Sequence, residues 1–104
     1  MKKMLLLLPF AAFFAGGIAQ AESGEALTQK YRCVSCHKEN KAGMGPSFKE
    51  VAKKYAKDAA APERMAERVK KGSRNVWGPA PMPPNSSVPD EDIKTLIEYV
   101  MSFK

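Results

Sequence analysis

The sequence predicts an all-α fold of about four helices. Apolar residues recur at helical spacing in four separate segments. No run alternates apolar and polar residues as a half-buried strand would, and no internal repeat is present. A third observation says what the helices surround. Cys33-Val34-Ser35-Cys36-His37 reads C-x-x-C-H, the attachment signature of a c-type haem. The helices are therefore expected to pack around one covalently held haem.

The chain opens with a segment that does not belong to the fold. Lys2 and Lys3 form a basic head, Met4 to Ile18 is apolar, and Ala19-Gln20-Ala21 is a small-residue cleavage site before the polar Glu22. Residues 1–21 thus read as a cleaved secretory signal peptide. An uncleaved anchor is the competing reading, because Met4 to Ala21 approaches the spanning minimum of about 18 residues. Pro9 and the Gly16-Gly17 pair interrupt that run and favour cleavage. Residues 22–104 then form one domain, and the expected location is the periplasm. Export suits haem attachment, since thioethers form outside the bacterial cytosol, so the two cysteines are expected as thioethers rather than a disulfide.

A domain this small buries little apolar surface and usually needs a staple. A haem supplies both staple and core, so the apo chain is expected to fold poorly. Without residues 1–21 the chain holds 15 basic and 11 acidic residues, a formal net charge of +4. Two haem propionates bring it nearer +2. The basic residues are interleaved with Glu and Asp, as on a solvated helix face, and do not suggest nucleic acid.

Ser23 is the expected cap of a first helix over about 24–36, with Leu27, Tyr31 and Val34 on one face. That helix would deliver Cys33 and Cys36 at its C-terminal end. A polar loop, Lys38 to Gly45, follows. Ser47 opens the second helix with Glu50 three residues on, a capping box. Phe48, Val51, Ala52 and Tyr55 form its apolar stripe, and Lys49, Lys53, Lys54 and Lys57 lie off it as solvated charges. Pro62 suits the first turn of a third helix whose face would hold Pro62, Met65, Ala66 and Val69, with Gly72 as its stop.

Residues 72–89 form a loop with five prolines, the chain's only Trp (Trp77) and Met82. Closely spaced prolines restrict the backbone, which lowers the entropy cost of positioning the Met82 sulfur. The last helix runs over about 89–102 with Ile93, Leu96, Ile97, Val100 and Met101 on one stripe. Asp90, Glu91 and Asp92 crowd its first turn, where the helix dipole favours acid.

The chemistry follows from residue types. Cys33 and Cys36 sit about one helical turn apart, so both thiols can reach the two vinyl groups of one porphyrin. His37 can place an imidazole nitrogen on the iron. It is the chain's only histidine, which excludes bis-histidine ligation within one chain. The sixth position is left to a Met, a Lys, the N-terminal amine or an open site. Met65 and Met101 lie on helical apolar stripes and read as core. Met82, in the stiff loop, is the first candidate and Met44 the second. A bare C-x-x-C could instead be a redox disulfide or half a zinc site. The first wants a strand–helix–strand context. The second usually wants four ligands, and the chain has two Cys and one His.

Cys33 to His37, Gly45-Pro46, Gly72-Ser73, Val76-Trp77-Gly78-Pro79 and Pro81-Met82-Pro83-Pro84-Asn85 stand in one order. In that order the chain resembles the small bacterial class I cytochromes c, closest to the cytochrome c-551 type, over essentially all of residues 22–104. The resemblance implies the class I cytochrome c fold and His37 and Met82 as axial metal ligands. It implies that the Pro46 carbonyl accepts the other imidazole N–H. It suggests that Arg68 and Trp77 donate hydrogen bonds to a haem propionate and that Asn85 sits near the Met82 sulfur. One departure is Pro89, where the family commonly has a helix-capping Ser.

The function implied is electron transport by a mono-haem one-electron carrier, not an enzyme, with iron cycling between ferric and ferrous states. The mature chain is expected to be monomeric and without stable membrane insertion. Lys38 and Lys41 are candidates for the rim of an exposed haem edge, and docking on acidic partners should be salt-sensitive. The resemblance suggests a quinol-oxidising complex or other cytochromes as donors, and a terminal oxidase or nitrite reductase as acceptors. Two rivals remain at this point: an enzyme or gas sensor with an open sixth site, and a thiol–disulfide module without haem.

Overall fold

Each helix begins where its capping chemistry allows. The computed structural model describes residues 22–103, and the signal peptide expected over residues 1–21 lies outside them. Helix α1 is Gly24–Lys30, with Ser23 Oγ accepting from the Ala26 amide at 3.1 Å. Helix α2 is Phe48–Tyr55, and Ser47 Oγ accepts from the Glu50 amide at 3.0 Å. Helix α3 is Ala61–Lys71, with Pro62 in its first turn. Helix α4 is Asp90–Met101. The fold is all-α; among the described residues the extended pairing amounts to two isolated bridges, His37 with Ala42 and Ser73 with Met82.

The first helix is shorter than its apolar spacing predicts. It stops at Lys30, and the cysteines arrive on a separate 3-10 turn, Cys33–Ser35. Arg32 causes the break, because its backbone turns left-handed at φ 59°. That conformation cannot continue a right-handed helix. The Arg32 amide donates back to the Gln29 carbonyl at 3.1 Å, and Tyr31 donates to Leu27 at 3.0 Å. The side-chain stripe of Leu27 and Tyr31 survives, but the register of the haem motif is reset.

The last helix starts one residue after Pro89, which serves as cap with an extended backbone (φ −61°, ψ 147°) and no side-chain bond. Proline costs nothing there, since the first helical amides have no intrahelical partner. The Pro89 carbonyl accepts from Ile93 at 3.0 Å, and Lys70 Nζ reaches Asp90 at 3.0 Å. On α3 the buried position is Ala61 rather than the exposed Pro62, and Met65 follows it into the core.

Helix α4 packs against α1, α2 and α3. Its Ile93, Leu96 and Ile97 meet Leu27, Val51, Ala61, Met65 and Val88 in one core. Fully burying each such side chain is worth roughly 1.5–3 kcal/mol before entropy is charged. The α1–α4 crossing is close because Gly24 has no Cβ: an added one would overlap the Tyr99 Cβ and lie 2.7 Å from its Cγ. Tyr31 locks the same pair, its hydroxyl donating to Asp92 Oδ2 at 2.6 Å.

Candidate haem site

The 3-10 turn places the attachment motif. Cys36 and His37 both donate backbone N–H groups to the Cys33 carbonyl, at 3.2 and 2.9 Å. The polar loop after His37 is held by its backbone: Gly45 donates to Cys36 at 3.0 Å, and Phe48 donates to Lys38 at 2.8 Å. This tethering brings Pro46 beneath the imidazole.

His37 Nδ1 lies 2.7 Å from the Pro46 carbonyl oxygen. A carbonyl can only accept, so Nδ1 carries the proton. The lone pair then sits on Nε2, available to a metal. Phe48 stacks on the imidazole at 5.7 Å and 20°. Phe48 in turn meets Tyr99 edge-on at 6.1 Å and Phe103 at 5.8 Å. Gly45 lets the backbone approach the ring: a Cβ there would lie 2.8 Å from His37 Cε1. The ring is held by a hydrogen bond, an aromatic face and a glycine.

Cys33, Cys36 and His37 open onto a mostly apolar cavity of about 420 Å³. Small-molecule sites of this kind are concave, apolar and marked by a few convergent polar groups. Two thiols, one metal-ready imidazole and an apolar cavity are what a covalently attached haem requires, so the residues fit the group. Among the described residues no three His, Cys, Asp or Glu side chains converge as a metal-ligand set.

Met82 lines the cavity, as do Met44 and Met65. Their settings differ. Met65 is buried in the core and Met44 is 77% exposed. Met82 is half-buried, with its backbone paired to Ser73. Met101 packs against the core, as its stripe predicts.

Arg68 and Trp77 both line the cavity. Arg68 donates to the Tyr55 hydroxyl at 2.8 Å. Trp77 meets Tyr55 edge-on at 6.4 Å and stays 42% exposed. Asn85 lies outside the cavity lining. Its side-chain amide donates to the Val69 and Pro83 carbonyls, both at 3.2 Å.

Sequence reasoning missed three neighbours of the site. Lys54, read as a solvated charge, sits 4.4 Å over the Trp77 ring. Tyr55, read as stripe, joins Arg68 and Trp77. Phe103 lies beyond the predicted last helix and completes the cluster behind His37. No local spacing signals the Lys54–Trp77, Tyr55–Arg68 or Phe48–Phe103 contacts, because those partners are distant in the chain.

Burial pushes the Cys33 thiol above its ordinary range. Reactive cysteines of thiol–disulfide sites have the opposite setting, an electropositive surround that favours thiolate.

Comparison with known proteins agrees with this geometry. A family model described as cytochrome c matches residues 21–104. A cytochrome c-551 from Pseudomonas aeruginosa is 44% identical over 97% of this chain and 95% of its own. A cytochrome c-551 from Stutzerimonas stutzeri is 43% identical over the full length of both chains. The crystal structure of Nitrosomonas europaea cytochrome c552 superposes with a TM-score of 0.74 at 39% identity, covering 77% of this chain and 99% of that one. The chain therefore belongs to the cytochrome c family, whose haem c is attached through two cysteines, here Cys33 and Cys36.

Proposed function

We propose that this chain is a one-electron carrier of the bacterial periplasm, with iron held between His37 and Met82 and no enzymatic turnover of its own. The observation that carries the reading is the single cavity lined by Cys33, Cys36, His37 and Met82. Bound haem supplies the one-electron ferric/ferrous couple, and a Met/His ligand pair raises its potential. The chain's residues supply the rest. Pro46 holds the His37 tautomer and leaves Nε2 free to bind metal. Met82 offers a neutral thioether. With His37 Nε2 and the Met82 sulfur both held toward a bound haem, no position would be left for a substrate and neither side chain would need to rearrange when the electron passes.

Arg68 and Trp77, both at the cavity, are the residues we assign to a haem propionate. Asn85 is assigned to the Met82 side, acting through the backbone it holds. Residues 1–21 act as the cleaved export signal and residues 22–104 as the working domain. Among the described residues no helix is long and apolar enough to cross a membrane. Lys38 and Lys41 are exposed beside the attachment motif and suit a docking rim for acidic redox partners. Quinol-oxidising complexes or other cytochromes are the donors in this reading, with a terminal oxidase or nitrite reductase as acceptor.

The test is the absorption spectrum of periplasmically expressed protein, oxidised and reduced. The ferric form should carry the weak long-wavelength Met-to-iron band, and Met82→Ala should lose it. A haem spectrum without that band, with rapid carbon monoxide binding to the ferrous form, would move the reading to a sensor or enzyme with an open site.

A further inference from the structure

We propose that Gly72 and Ser73 form a backbone clamp that positions Met82, with Gly72 as its essential positioning residue. The inference rests on Met82 being the sixth ligand.

Helix α3 stops at Gly72, whose backbone takes φ 82° and ψ 173°. The expected glycine stop is present, but its conformation is not the common left-handed cap. This extended region at positive φ is essentially reserved for glycine. A Cβ on Gly72 would lie 2.7 Å from the Met82 carbonyl oxygen, 3.0 Å from the Pro84 nitrogen and 3.3 Å from the Pro83 carbonyl carbon. Every one of those atoms is backbone, so no side-chain rotation relieves the contact.

Next to this approach, Ser73 and Met82 exchange both backbone hydrogen bonds. Ser73 N–H donates to the Met82 carbonyl at 3.1 Å, and Met82 N–H donates to the Ser73 carbonyl at 2.9 Å. Beyond Met82, the Asn85 amide donates to the Val69 carbonyl at 3.0 Å, and Asn85 Nδ2 reaches the same carbonyl at 3.2 Å. The Met82–Asn85 segment is thus fastened on both sides to the last turn of α3. That helix is itself anchored by the buried Ala61 and Met65.

Prolines stiffen the loop but have no N–H to donate to the body of the protein. Pro79, Pro81, Pro83 and Pro84 therefore hold the shape of the loop, while Gly72 and Ser73 hold its place. The direction of the Met82 sulfur is set by where α3 ends.

The clamp is tested on the holoprotein with Gly72→Ala. The ferric variant should lose part of the Met-to-iron band and bind added imidazole at least about tenfold faster than wild type, as expected for a non-glycine residue forced into this backbone region. Met82→Ala runs beside it. If Met82→Ala keeps the band, the ligand assignment fails and the clamp loses its object. If Met82→Ala loses the band while Gly72→Ala matches wild type in band and imidazole rate, the clamp alone is wrong. Amide exchange on unmodified holoprotein decides the matter should Gly72→Ala fail to load haem. Ser73, Met82 and Asn85 amides should be protected like Gly72, which donates to Arg68 at 2.7 Å. Exchange as fast as an open-loop amide such as Gly78 overturns the proposal.

Discussion

Replacing Gly24 by Ala sets two opposing effects against each other. Gly24 is the first residue of α1, where alanine gains up to about 1 kcal/mol of helix propensity over glycine, and less at a terminus than in the interior. Against this, the new methyl would overlap the Tyr99 Cβ and sit 2.7 Å from Cγ. A Cβ is fixed to its backbone, so Tyr99 cannot rotate clear and α4 must move. Overpacking of this kind costs about 1–3 kcal/mol. The shift also disturbs Tyr99 against Phe103, whose rings meet edge-on at 5.0 Å, and through them Phe48 behind His37. The clash wins, so Gly24→Ala should destabilise the holoprotein. Taking off about 0.5 kcal/mol of propensity leaves a net cost of roughly 0.5–2.5 kcal/mol. At about 4–8 °C of Tm per kcal/mol for a domain of this size, the fall is roughly 2–20 °C. Thermal unfolding followed by far-ultraviolet circular dichroism, on protein checked for full haem loading, measures it. A Tm equal to or above wild type would refute the close-crossing argument.

Two other substitutions probe separate links. The Asp92 carboxylate accepting from the Tyr31 hydroxyl raises the phenol above its ordinary 10.0, with burial adding to it. A raised folded value means the contribution is complete below pH 10 and is lost as pH rises through the folded pKa. Tyr31→Phe should therefore be less stable than wild type at neutral pH, and the gap should close in alkali; a gap that stays constant past that range would argue against the hydrogen bond. Ser47→Ala removes a buried cap and should cost about 1 kcal/mol by denaturant midpoint, with the slope unchanged; no loss would mean that the Glu50 amide finds another partner.

Much of this protein is legible in order along the chain because its signals are local. Ser23, Ser47 and Gly72 mark helix ends through bonds reaching only a few residues, and Pro62 does so through its fixed φ. Leu27, Val51, Met65, Ile93, Leu96 and Ile97 declare their burial by spacing. The cysteine pair and the lone histidine confine the chemistry to one stretch, because covalent attachment and metal ligation need particular atoms. What depends on distant contacts was not legible. The left-handed Arg32 ends α1 early, although the apolar spacing continues through Val34. Lys54 lies over Trp77, and Phe103 meets Phe48 behind His37, across gaps that no periodicity spans. The proline loop looks self-supporting in sequence, yet its hydrogen bonds run to Ser73 and Val69. The sequence by itself therefore determined the helices, the haem motif and the short inventory of ligands. Tertiary structure alone decided which backbone groups hold Met82 and which rings stand behind His37, since the loop meets the end of α3 at Ser73 and Val69 and Phe48 meets Tyr99 only when α2 and α4 pack.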